Sequence, residues 1–267
     1  MDANIGVARG QPNYKRRLQD YLEAMLAKDA TFEDHENNND LHEAIIRGDF
    51  DQFKEIVNDK KFDPKLLNLR NCDGKSPLFL AIEHGRQDIF QVLFKEYKKE
   101  IDFTSKDTIH GNTALHMACL QENLEVAKKI FNYDPQLCMR PNSLGRSPFF
   151  LACQTACETK SLHLLEIFES MKTEAIVVQD YLGENMLFMC ARSSAVEVFN
   201  WFQGTELETY NNFFRARGQQ NYKGQSIEHV VCIEGKTNIV QDIRPKLDTK
   251  DYYGNLPIHY TIANNDY

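Results

Sequence analysis

Six glycines, Gly74, Gly111, Gly145, Gly183, Gly224 and Gly254, recur along the chain at separations of 37, 34, 38, 41 and 30 residues, read by subtraction of their numbers. This recurrence constrains the fold more than any other feature, because a unit of roughly 35 residues cannot bury its own apolar face and has to stack on a neighbour. Each glycine sits in the same setting. Three residues before it stand Asn71, Thr108, Asn142, Asp180, Asn221 and Asp251, all able to hydrogen-bond their own backbone in a turn. Two residues after it stand Ser76, Thr113, Ser147, Asn185, Ser226 and Leu256, of which all but Leu256 are helix N-cap residues. The following position holds Pro77, Pro148 and Pro257 in three copies, where a missing amide hydrogen does no harm.

The copy around Gly111 is the most regular. Thr113 caps a helix predicted to start at Ala114, with Leu115, Ala118 and Cys119 on its apolar side. The polar break Gln121-Glu122-Asn123 ends it, and Leu124, Val126, Ala127 and Ile130 resume a helical stripe. The unit is therefore turn, helix, turn, helix. Its second helix starts 13 residues past the glycine, and the same register falls at Gln87, Leu124, Val196 and Thr237. In the fourth copy the second helix is placed at Leu162, so about four extra residues around Ala156 to Lys160 are expected to leave as a loop. Seven more, expected to leave by a loop in the same way, must be housed between Gln203 and Gln220, a segment that is aromatic and basic in an acidic chain. Glu228 stands in the sixth copy where Leu78 and Leu115 stand in theirs, which predicts poor packing there.

Ahead of the array, residues 1–12 read as a flexible arm and residues 31–37 as a polar linker. Between them, Leu18, Tyr21, Leu22, Met25 and Leu26 put one apolar face on a helix within residues 13–30. Two roles are open to it, a cap on the first repeat or a helix that docks in a partner's groove. The chain has no run of about 18 apolar residues and no signal-peptide pattern at its start, so membrane insertion of this segment is not expected and a cytoplasmic place is. Seven scattered cysteines suit buried thiols in a reducing compartment. A formal net charge of -8 argues against nucleic acid as a partner.

Motifs of catalysis and cofactor binding are missing from the sequence. It contains no phosphate-cradling glycine loop, no Gly-x-Ser-x-Gly elbow, no His-Glu-x-x-His pair and no Cys-x-x-Cys pair. Cys153, Cys157 and His163 come nearest to a metal cluster, but a structural zinc normally takes four ligands. His42, His116, His229 and His259 share one repeat position and read as structural. No catalytic, cofactor-binding or metal-binding residue is expected, and the chain is not expected to be an enzyme.

Ser76-Pro77-Leu78-Phe79-Leu80-Ala81, Thr113-Ala114-Leu115-His116-Met117-Ala118 and Pro257-Ile258-His259 resemble the Thr-Pro-Leu-His-x-Ala core of ankyrin repeats, and Leu41-His42-Glu43-Ala44 resembles its tail. The resemblance implies an all-α ankyrin-repeat solenoid of about seven copies over residues 38–267. Thirteen residues beyond Gly254 is Tyr267, where the seventh copy's second helix would start, so the natural polypeptide is expected to continue. It further implies a scaffold for protein-protein interaction, in which hairpin tips and the concave face hold another protein. Carried over by position, the tips include Cys72-Asp73, Ile109-His110 and Ser143-Leu144, then Tyr181-Leu182, Tyr222-Lys223 and Tyr252-Tyr253. The last three pairs, together with Phe213, Phe214 and Arg215 of the insertion, are the candidate partner contacts. The tyrosines either meet a partner or cover neighbouring hairpins. Alternative settings are a cytoskeletal or ciliary scaffold, or the cytosolic front of a membrane protein or effector enzyme whose activity lies downstream of Tyr267.

Overall fold

A computed structural model describes residues 39–203, 207–235 and 247–264. The amphipathic segment within 13–30, the second helix expected at Thr237 and the position of Tyr267 lie outside the described residues. Those described fall into two compact units, residues 39–155 with 162–169, and residues 156–161 with 170–264.

The first unit is built from helix pairs. Helices α1 (Asp40–Arg47) and α2 (Phe50–Asn58) form the first pair, α3 (Pro77–Glu83) and α4 (Gln87–Tyr97) the second, and α5 (Ala114–Leu120) and α6 (Leu124–Tyr133) the third. Helix α7 (Pro148–Thr159) opens the fourth and α8 (His163–Ile167) belongs with it. Short 3-10 turns at Pro64–Asn68 and Pro135–Met139 lead from a pair to the next hairpin. Successive first helices stack, α1 on α3 and α3 on α5. The core between layers holds Phe53, Phe90, Phe149 and Phe168, each fully buried, and each such ring contributes about 2 kcal/mol of apolar burial.

The second unit continues the plan. It contains α9 (Lys172–Ala175), α10 (Met186–Ser193), α11 (Val196–Gln203), α12 (Leu207–Arg217), α13 (Ile227–Glu234) and α14 (Pro257–Asn264). Helices α10, α13 and α14 are the stacked first helices of three consecutive copies. Among the described residues no β-strand is formed, and no helix is long and apolar enough to cross a membrane.

The predicted helix starts at Gln87, Ala114, Leu124 and Val196 are all observed. The fourth copy starts its second helix at His163, with Leu162 as the N-cap. Two expectations of loops are corrected. The residues inserted near Ala156 lengthen α7 to twelve residues, since Ala156 and Cys157 are apolar and buried and the sequence offers no helix breaker before Lys160, whose φ is 58°. The segment between Gln203 and Gln220 folds largely as α12, against α11 and α9. Phe213 stands buried there, edge-on to Phe199 with ring centroids 5.3 Å apart.

Candidate functional site: the hairpin tips

The tips are set by one turn chemistry. Gly74, Gly111, Gly145, Gly183, Gly224 and Gly254 all have φ between 66° and 80°, the left-handed region that a side chain disfavours. An Asx oxygen holds each turn from inside. Asn221 Oδ1 accepts the amides of Lys223 and Gln225 at 2.9 and 3.0 Å, and Asp251 Oδ1 those of Tyr253 and Asn255, both at 2.9 Å. Asn71, Asn142 and Asp180 do the same in their copies. In the third copy Asp107 takes this role, not Thr108, accepting the amides of Ile109 and His110 on one oxygen and that of Asn112 on the other. A carboxylate has acceptor sites enough for three amides, so it spans a turn one residue longer.

Neighbouring tips are stitched backbone to backbone. Thr108 N–H donates to the Asp73 carbonyl at 2.8 Å, Ser143 to His110 at 2.9 Å, Tyr222 to Leu182 at 2.9 Å and Tyr252 to Lys223 at 3.1 Å. This close approach gives the glycines a second reason. A Cβ on Gly224 would lie 2.6 Å from the Tyr252 ring, and one on Gly183 would lie 3.0 Å from the Tyr222 ring. Each of these rings therefore rests on the preceding hairpin with its backbone fixed. Tyr181, Leu182 and Tyr222 are half-buried. Tyr252 and Tyr253 remain 60% and 71% exposed, with Lys223 exposed beside them.

Histidines tie the hairpins to the helices. Nδ1 of His116 accepts the Thr113 amide at 3.0 Å, and Nε2 lies 3.0 Å from the Arg146 carbonyl of the next copy. A backbone N–H can only donate and a carbonyl can only accept, so the ring is neutral with its proton on Nε2. Burial depresses its pKa to about 3. His42 and His229 repeat the geometry toward Leu69 and Asn255, and His259 accepts the Leu256 amide at 3.1 Å. These rings are structural bolts.

The insertion meets the sixth copy at a cleft. Phe214, Arg217, Gly218, Gln220, Ser226, Glu228 and Thr249 line a cavity of about 230 Å³. Glu228 is buried at 5% exposure and does not spoil its copy as expected, because Arg217 on α12 approaches it at 3.4 Å. The non-standard acid and the insertion therefore explain each other, a pairing invisible in either stretch alone. Phe214 is 42% exposed at this cleft and Arg215 is exposed, whereas the buried Phe213 is not available to a partner.

A second ionic network links α10 to α13. Glu184, buried at 3%, accepts from Arg192 at 2.7 Å and from the Asn221 amide at 3.2 Å, and Arg192 reaches Glu234 at 2.8 Å. The thiols of Cys153 and Cys157 are buried, Cys157 Sγ lies 3.9 Å from Cys190 Sγ, and His163 is exposed.

Comparison with known proteins agrees with this geometry. The family model described as ankyrin repeats (3 copies) matches residues 14–107, and the single ankyrin-repeat model matches residues 110–138. The chain is 32% identical over 125 residues to the ankyrin repeat and SAM domain-containing protein 6 of Rattus norvegicus, a match covering 47% of this chain and 13% of that protein. It is 32% identical over 141 residues to the I-Kappa-B like protein C2 of Microplitis demolitor bracovirus, covering 49% of this chain and 72% of the relative. In fold it is similar to the ankyrin repeat domain of Bcl-3, with a TM-score of 0.59 at 19% identity over 84% of this chain and 93% of that one. The repeated turns, caps and helix pairs thus extend past the last matched residue to Asn264, and the chain belongs to the ankyrin-repeat family.

Proposed function

We propose that this chain is a protein-interaction module that presents its hairpin tips, with the adjoining concave face, to another protein. The observation that carries this reading is the row of tips, each turn held by an Asx oxygen and bonded backbone to backbone to the next, that leaves the tyrosines of successive copies at least partly accessible along one edge. Exposed rings on a rigid support lose little entropy on binding, and tyrosine is enriched where partners meet. The mechanism is rigid display of spaced contacts, with no chemical step. Tyr181, Leu182, Tyr222 and Lys223 extend the surface along the preceding tips, and Phe214 and Arg215 flank it.

The test is quantitative capture from the native source. Bait carrying Tyr252→Ala, Tyr253→Ala and Lys223→Ala is compared with wild type and with a control bearing Lys54→Ala and Lys128→Ala on outer helices. The reading expects proteins captured by wild type and by the control to be lost by the tip variant. Equal capture by all three baits contradicts it.

A second reading places the array as the binding arm of a longer polypeptide, such as a scaffold, a membrane protein or an effector enzyme. The 13% share of the rat relative that the match covers favours it. Under this reading the tips keep the same role.

A further inference from the structure

We infer that Cys157 and Cys190 form a redox site that reacts with a low-molecular-weight disulfide and closes to a reversible intramolecular one. The two thiols stand 33 residues apart in the chain, on α7 and α10, and their Sγ atoms lie 3.9 Å apart. Both are buried, Cys190 at 0% and Cys157 at 5% exposure. The insertion makes this contact. Helices α3 and α5 have seven residues each, and an α7 of that length would end before Cys157, whereas the inserted residues extend it to twelve. A disulfide holds its sulfurs about 2.05 Å apart, so each sulfur has to move by about 1 Å, which rotation about its Cα–Cβ bond supplies. In a reducing compartment such a pair rests as two thiols and links when the surrounding disulfide pool becomes oxidised.

The surroundings give the two thiols different parts. Cys157 stands two residues before the end of α7, and Glu158, Thr159 and Lys160 beyond it are exposed, with Lys160 at a φ of 58°. Helix ends open at the lowest free energy, so Cys157 is the thiol that meets solvent. Cys190 lies inside α10, next to the fully buried Ala191, and stays enclosed. The Cys157 thiolate attacks one sulfur of oxidised glutathione, whose S–S bond breaks; one glutathione leaves and takes up a proton, and the other stays on Cys157 as a mixed disulfide. Cys190, losing its proton, then attacks the Cys157 sulfur and expels the second glutathione as a thiol. Two protein thiols are oxidised and one disulfide is reduced to two thiols. A site only 5% exposed has no room for the glutathione adduct, so closing of the last turn of α7 favours its replacement by Cys190. The product is also neutral, whereas a monovalent soft metal ion between two thiolates would bury a net negative charge.

The experiment uses the 267-residue chain with Cys72→Ser, which removes the exposed thiol of the Gly74 hairpin. The folded protein is equilibrated with oxidised glutathione, remaining thiols are blocked with N-ethylmaleimide, and peptides are mapped by mass spectrometry. The parent should show a Cys157–Cys190 link that dithiothreitol reverses. With Cys190→Ala the reaction should stop at one glutathione on Cys157, and with Cys157→Ala Cys190 should take none. The link closes a ring over residues 157–190, so through the entropy of the unfolded chain it should raise the melting temperature of the parent by about 10 °C and leave both variants unmoved. Circular dichroism establishes that each variant is folded, and if one is not, the map of the parent decides alone. Both thiols still reduced in the oxidised parent, a Cys153–Cys157 link in place of the expected one, glutathione on Cys190 when Cys157 is absent, or a link that forms only in urea would each overturn the inference.

Discussion

Substituting His116 with glutamine separates the two things the ring does. At pH 7.5 the change removes the acceptor for Thr113 N–H and the donor to the Arg146 carbonyl, 3.0 Å away in the next copy. Two buried hydrogen bonds of this kind are worth about 2 to 3 kcal/mol together. The pH dependence runs the other way. The unfolded chain protonates this histidine at its ordinary value of 6.5, whereas burial holds the folded one near 3. A depressed histidine contributes stability that is present above pH 6.5 and lost as pH falls toward 3, at about 1.4 kcal/mol per pH unit once below 6. Between pH 7.5 and 5.0 the wild type should therefore lose about 2 kcal/mol that His116→Gln does not. Urea unfolding followed by circular dichroism at half-unit pH steps gives both curves. They should start about 2 to 3 kcal/mol apart and nearly meet at pH 5. Curves that stay parallel would refute the buried neutral ring.

Two further outcomes follow from the turns and the cleft. Gly111→Ala should destabilise by about 2 kcal/mol more than Gly85→Ala; both have positive φ, but a Cβ on Gly111 meets Ser143 Oγ at 2.4 Å while one on Gly85 meets nothing within 4 Å, and urea midpoints compare them directly. Arg217→Met alone should cost about 3 kcal/mol by leaving the Glu228 charge buried, whereas Arg217→Met with Glu228→Leu should restore wild-type stability or exceed it; a double variant no better than the single one would show that the pair is not coupled.

The array was legible in the sequence because its signals are local. A positive-φ glycine, an Asx turn and a Ser or Thr cap each act within four residues, so their spacing carries the register without any knowledge of tertiary contacts. The helix starts at Ala114 and Leu124 followed from that alone. What could not be read depended on distant partners. Glu228 looks like a fault until Arg217 is placed beside it, and Phe213 looks like a contact residue until Phe199 covers it. The insertions were located correctly but given the wrong form, since length alone does not tell a loop from an added helical turn. Asp107 was missed because Thr108 also fits a turn and the spacing differs by one residue. At the hairpin tips, the residues that occupy them were legible and their exposure was not. Tyr181 and Tyr222 occupy equivalent positions and both are half-buried, because accessibility is decided by the adjoining hairpin.

Contact through the hairpin tips is tested most directly by placing a photo-crosslinking phenylalanine analogue at position 253 and, separately, at position 128 on the outer helix α6. Irradiation in the native cell should give a discrete covalent adduct with a protein partner from position 253 and none from position 128. Adducts from 128 with none from 253 would place the partner on the helices and contradict binding by the tips.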